Sequence, residues 1–387
     1  MSAPSRPPQT APPPPGWWQV VRPAELGEAD VAAWRRLHRE RPELASPYFH
    51  PTFVRLVAAA RAAHSRDDVR VGVLREEASG EPIAFLPFQR GRWGRATPPG
   101  GRLCDFHGLI APADTRTTAV DALRGCGLRS YAFHMLPPGQ PAFAAAGDRT
   151  EAGWERGGVR VNLAGGFDAY LARREAEGSK RHRKIAQFRR RMERERGEVT
   201  FTWQDTDPEA WERLLRWKRG QYAATGFCDV LAAPWVRDLL ARCRDADAAD
   251  EHGFEGVFCT LRAGGAVVAG HLLLRSGPRL HAWFPAYDAA ARALSPGNVL
   301  MLELLRHAAD RGVTALDLGA GDEPYKSDYA TDRFALLRGV AETPGAATHA
   351  VASARRVRDA LKAHPAGAPA RLAAAWVRPL RERHALR

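Results

Sequence analysis

The sequence predicts an α/β fold with mixed sheets (α+β), built as two similarly organised halves. Three observations carry this reading. The chain has 387 residues, enough for two or three modules at roughly 150 residues each. Short segments of period-two apolar alternation, bounded by turn residues, are separated by segments with three- and four-residue apolar spacing. The order helix pair, hairpin, strand, helix, strand also occurs in outline twice. With 45% hydrophobic and 26% charged residues, the composition is neither disordered, collagen-like nor that of a disulfide scaffold.

The opening run, Met1 to Gly16, is rich in Pro and cannot bury a core, so residues 1–20 are assigned to a disordered lead-in. It lacks a basic start and an apolar centre, so it does not read as a secretory signal, and the expected location is cytoplasmic. An N-terminal half is drawn over residues 21–164. Leu26, Val31, Trp34 and Leu37 mark a helix from Ala24 to Glu40, and a second runs from Pro51 to about Ala63. Val69, Val71 and Val73 alternate with Arg70 and Gly72, and Pro82 to Gln89 returns after a turn to form a hairpin. Short strands are expected around Phe106–Ile110 and Ser130–Met135, with a helix over Thr117–Cys126 between them.

Helices over Gly165–Gly178 and Lys180–Arg196 open the second half, residues 165–342. A strand over Val199–Gln204 and helices over Pro208–Thr225 and Ala233–Arg244 follow. Phe254–Ala263 and Ala266–Arg275 form a hairpin over Gly264-Gly265, a pair that accepts positive φ. A strand over Arg279–Tyr287, a helix over Asn298–Arg311 and a strand over Ala315–Leu318 complete this unit. Residues 343–387 turn to Ala and Arg and read as a basic helical tail, either capping the second unit or lying on an anionic membrane surface.

The net charge is +13 and the sequence pI about 10.1. Lysine occurs only at positions 180, 184, 218, 326 and 362, while arginine and alanine abound, a usage typical of a GC-rich genome. The informative charge is therefore the stripe from Lys180 to Arg196, opposed only by Glu193 and Glu195. It reads as a solvated helix face or as an electrostatic guide for an anionic ligand. No zinc-finger, RNP-like or helix-turn-helix signature accompanies it, so no specific nucleic-acid partner is expected. Five cysteines without C-x-x-C spacing and histidines without H-E-x-x-H pairing predict neither a disulfide framework nor a metal site.

The segment Ala291 to Lys326 carries the chemistry. Arg292, Ser295, Pro296, Gly297 and Asn298 form a loop of small residues between the strand around His281–Phe284 and an apolar helix. Backbone N–H groups around Pro296–Asn298, at a helix start, could cradle a phosphate, although Ser-Pro-Gly is also an ordinary helix cap. Arg292-x-x-Ser295-x-Gly297 resembles the R/Q-x-x-G-x-G/A cofactor motif of GNAT acyltransferases, with serine in place of the first glycine. Together with Tyr287-Asp288, Leu294-Ser295-Pro296-Gly297, Arg311-Gly312, Asp317-Leu318-Gly319-Ala320-Gly321-Asp322 and Tyr325-Lys326, it resembles the acetyltransferases named after the cellulose-biosynthesis protein CelD. These are related to the FemAB transferases, built of two GNAT-like halves.

The resemblance implies acyl transfer from acetyl-CoA or another acyl-CoA to an amine or hydroxyl, on a small-molecule or glycan-precursor acceptor. The splayed strand, expected near Ala269–Leu274, would supply a donor to the thioester oxygen. Asp317 or His271 would be the base, Tyr325 the acid for the leaving thiolate, and Lys326 a holder of phosphate or substrate carboxylate. Each has a second reading: Asp317 as a turn cap, His271 as a core histidine, Tyr325 as packing, Lys326 as a solvated cation. Three other functions are weighed: a FemAB-like transferase using aminoacyl-tRNA, a basic nucleic-acid binder, and a methyltransferase suggested by Asp317-Leu-Gly-Ala-Gly. The last lacks the third glycine and leaves too little chain for a doubly wound domain.

Overall fold

The computed structural model describes residues 16–144, 156–248, 253–321 and 323–344. Their strands join in one mixed sheet of twelve, in the order β1-β2-β3-β4-β5-β12-β6-β11-β10-β9-β8-β7. The expected basic tail lies outside the described residues beyond 344, as does Asp322.

In the first half, β1 (Gly16–Val21) is followed by α1 (Glu28–Glu40), α2 (Pro51–Ala63), β2 (Val69–Glu76), β3 (Pro82–Arg90), β4 (Arg95–Thr97), α3 (Ala119–Gly125) and β5 (Ser130–Leu136). Strand β1 corrects the expected lead-in over residues 1–20, since residues 16–20 belong to the sheet. Pairing Trp17, Trp18, Gln19, Val20 and Val21 with β2 seats Trp18 over Gly72, and aromatic and β-branched side chains favour such a half-buried edge strand. The strand expected around Phe106–Ile110 is reduced to a single bridge between Ile110 and Phe85.

The second half contains α4 (Gly166–Ala176), α5 (Arg181–Arg196), β7 (Val199–Thr202), α6 (Pro208–Thr225) and α7 (Pro234–Arg244). These are followed by β8 (Phe254–Ala263), β9 (Ala266–Ser276), β10 (Arg279–Tyr287), α8 (Pro296–Asp310), β11 (Ala315–Ala320) and α9 (Pro324–Tyr329). Two strands stitch the halves together. β6 (Arg156–Asn162), which precedes the boundary drawn at 164, pairs antiparallel with β11. β12 (Asp332–Glu342), at the other end of the chain, pairs with both β6 and β5.

Alternation along the strands divides the apolar side chains among three cores. One face of the sheet, with α1 and α2 of the first half and α6 and α7 of the second, encloses a core shared between halves; Trp34, Phe53, Trp211, Leu239 and Phe258 are buried there. Opposite it, α4, α5 and α8 cover the second half through Ile185, Met192, Leu304 and Leu305. Helix α3 covers the first half through Ala119, Ala122 and Leu123. The stripe on α5 is thus half packed: Ile185 and Met192 are buried, while Lys180, Arg183, Lys184, Arg190 and Arg194 are exposed. Among the described residues, no helix is long and apolar enough to cross a membrane.

Candidate active site

β10 and β11 run parallel, but they pair only from Arg279–His281 to Ala315–Asp317. Beyond His281, β10 bulges between Ala282 and Phe284 and follows β9 alone to Tyr287, while β11 stays with β6 as far as Ala320. The sheet therefore opens between β10 and β11. The expected splay at Ala269–Leu274 is displaced by one strand: those residues have β8 on one side and β10 on the other, so their edges are satisfied. Ala282, Trp283, Pro285 and Tyr287 on the freed stretch of β10 are only half-buried.

The predicted cofactor residues lie at the mouth of this opening, where Tyr287 gives way to a 3-10 turn over Ala289–Leu294 and then to α8. Arg292 is exposed. Ser295 takes the left-handed conformation, φ 52°, without capping α8 through its side chain. Pro296 opens the helix and has no N–H to offer. The Asn298 N–H donates to Ser295 O at 3.1 Å. Among the described residues, the Gly297 N–H has no acceptor, so in Pro296–Asn298 it is the one amide left for a ligand, at the positive end of a fifteen-residue helix. Its Cα faces the Tyr287 ring, which a Cβ at Gly297 would meet at 3.4 Å. The Asn298 side chain donates to Ser295 Oγ at 2.7 Å and accepts from the Tyr329 hydroxyl at 3.0 Å, tying α9 to the start of α8.

The four predicted catalytic residues do not converge. Asp317 is fully buried on β11 and accepts from Arg160 Nε at 2.6 Å, with Arg279 Nε 4.0 Å away. Arg160 holds one oxygen by a charge-assisted bond, Arg279 stands only at ion-pair distance, and Oδ2 has no hydrogen-bond partner among the described residues. Lys326 is buried, donating to Ala320 O at 2.6 Å with Glu323 at 3.1 Å, so its ammonium caps the end of β11. Tyr325, on the first turn of α9, is 38% exposed; partial desolvation, with the Glu323 charge nearby, pushes its pKa up to about 12. His271 lies inside β9 with neither ring nitrogen partnered among the described residues, and burial, reinforced by Lys218, lowers its pKa to about 3. It is held neutral in the core.

The tertiary structure instead brings together two residues that the sequence reading did not single out. His281, at the apex of the opening, is fully buried, and its Nε2 lies 2.9 Å from the Asp105 carboxylate of the first half. The rings of Tyr48 and Phe106 stand edge-on to the imidazole at 4.8 and 4.9 Å. Trp283, two residues on, donates from Nε1 to Leu103 O at 3.1 Å. Gly319 on β11 has φ +71°, and a Cβ there would stand 2.8 Å from Asp105 Oδ2. The glycine of the Asp317-Leu-Gly motif thus makes room for the carboxylate. That motif was the one available signal, because it requires something to approach β11 closely without naming it.

Residues 179–327 match a family model described as the acetyltransferase (GNAT) domain. A comparison with curated proteins finds no match. Among solved structures, the chain is similar to the C-terminal domain of a putative lysylphosphatidylglycerol synthetase from Agrobacterium fabrum, at 15% identity over 87% of this chain and 97% of that one, with a TM-score of 0.50. It is also similar to FemX, at 9% identity over 80% and 94% of the two chains, with a TM-score of 0.51. At such identities the likeness is one of fold. Within that fold, the stretch matching the GNAT acetyltransferase domain contains β10, the opening and α8, while β6 and the loop carrying Asp105 reach it from outside the matched residues.

Proposed function

We propose that the protein is an acyl-CoA-dependent acyltransferase whose acceptor is an amine or hydroxyl on a glycan or cell-envelope precursor. One observation carries the reading: the sheet opens between β10 and β11 directly beside a helix start with an unspent N–H. An acyl-CoA in the opening would supply an activated thioester carbonyl. The Gly297 N–H and the α8 dipole suit its pyrophosphate, with exposed Arg292 adding a cation at the mouth. The edge of β10 beyond His281, without a partner strand on the β11 side, offers backbone donors for the carbonyl oxygen as negative charge develops there. Tyr325, protonated at neutral pH, remains the candidate acid for the leaving thiolate.

Thermal unfolding with acetyl-CoA, desulfo-CoA and S-adenosylmethionine tests this. A ligand at a hundred times its Kd stabilises the folded state by about 2.7 kcal/mol, so the two CoA compounds should raise Tm and S-adenosylmethionine should not. Absence of any CoA effect, combined with salt-sensitive binding of aminoacyl-tRNA, would favour the second reading, a FemAB-like aminoacyl transferase. The exposed cations of α5 support that alternative, because a stripe of this length can follow a phosphate backbone.

A further inference from the structure

We propose that His281, oriented by Asp105, is the base that deprotonates the acceptor; this rests on the acyl-CoA reading above. The pair is assembled across the two halves, Asp105 from the loop after β4 and His281 from β10. It stands where β10 parts from β11, the last point at which the two strands are paired. A carboxylate oxygen can only accept, so the 2.9 Å contact places the ring hydrogen on Nε2. When the ring is unprotonated its lone pair is then on Nδ1, which is buried and has no partner among the described residues. A buried imidazole nitrogen left without a donor is costly unless something else meets it. Asp105 keeps the tautomer and would stabilise the imidazolium, the role an acid plays behind a catalytic histidine. Tyr48 and Phe106 fix the ring edge-on, and Gly319 keeps β11 clear of the carboxylate.

In the step, the acceptor nitrogen or oxygen attacks the thioester carbon while Nδ1 takes its proton. The carbon–sulfur bond then breaks, the departing thiolate takes the proton of the Tyr325 hydroxyl, and the His281 imidazolium gives its proton back to the tyrosinate, leaving acylated acceptor and CoA thiol. No other reactant is needed.

The experiment uses the full chain, acetyl-CoA and water as the probe acceptor, with CoA release followed by chromatography, alongside nitrogen-15 spectra of the histidine rings. His281→Gln should lower kcat at least about a hundredfold with KM for acetyl-CoA little changed. Asp105→Asn should lower kcat about tenfold and remove the preference of His281 for the Nε2–H tautomer, a change that a purely packing role would not produce in kcat. Gly319→Ala, which touches neither side chain's chemistry, should reproduce the Asp105→Asn effect. Wild-type kcat in His281→Gln with acetyl-CoA still bound would overturn the assignment alone. A wild-type chain that neither binds nor hydrolyses acetyl-CoA would overturn it together with the reading it rests on.

Discussion

The sheet opens in both halves, and the two openings are finished differently. In the first half, β4 pairs with β5 only at Arg95–Ala96 and Ser130–Tyr131, and beyond that point the chain fills its own gap. Ile110 bridges Phe85 of β3 with bonds of 2.8 and 2.9 Å, the Leu109 N–H reaches Gln140, and His107 Nε2 accepts from the His134 N–H of β5. Helix α3 then begins with a closed capping box, Thr118 accepting from the Asp121 N–H while Asp121 accepts from the Thr118 N–H. In the second half, the gap beside β10 is bordered by half-buried side chains, and α8 starts on a left-handed serine whose side chain caps none of its N–H groups. Similar order of elements therefore leaves one sealed wedge and one with a spare donor. The segment that seals the first half also reaches across to place Asp105 against His281.

Substitutions at five residues would break or sharpen this contrast. Ile110→Ala removes a fully buried plug residue and should cost about 3 kcal/mol in denaturant unfolding; a cost under about 1 kcal/mol would mean the wedge is loosely filled. Next, each half holds a histidine kept neutral, half-buried His134 with its pKa lowered to about 4 and buried His271 to about 3, in each case chiefly by desolvation. The unfolded chain takes up protons near pH 6.5 and these folded sites do not. Their stabilisation is present above pH 6.5 and is lost as pH falls through about 4 and 3, at up to about 1.4 kcal/mol per pH unit for each group. Replacing either with Gln should flatten the fall in stability between pH 6.5 and 4.5, and unchanged slopes would contradict neutral burial.

Gly297→Pro deletes the free amide within the first turn of α8, where no intrahelical bond is lost with it. It should weaken acetyl-CoA binding about tenfold, near 1.4 kcal/mol, whereas Gly297→Ala, which keeps the N–H, should bind within about threefold of wild type. Equal affinities, measured by calorimetry, would remove the amide from the site. The smallest effect is expected for Thr118→Ala, about 1 kcal/mol from the lost cap, with acetyl-CoA affinity untouched. A change in that affinity would show that the sealed half still takes part in binding.

Much of the fold was legible because local pattern and burial coincide. Helix α2 has the bounds expected of it, Pro51–Ala63, and Gly264-Gly265 turns the β8–β9 hairpin where expected. Strands β6 and β12 were missed because neither alternates cleanly. Arg156-Gly-Gly-Val-Arg-Val-Asn has two glycines, and β12 mixes exposed and half-buried positions along most of its length. The cofactor loop was legible from small residues before a helix. What could not be read locally was which of its amides is spent, since that depends on the turn at Ser295. Asp317, Lys326 and His271 stood out as chemically capable residues in apolar surroundings, yet the first two are held by Arg160 and by Ala320 O, and the third is enclosed between paired strands.

The sequence by itself determined the periodicities, and with them the helices, the hairpins and the small-residue approach to α8, because these depend on neighbours a few positions apart. The exchange of β6 and β12 between halves, the parting of β10 from β11 and the meeting of Asp105 with His281, 176 positions away, were decided only in three dimensions. Contacts at such separation follow from how twisted strands and packed helices share one core, and no local pattern of residues encodes that arrangement.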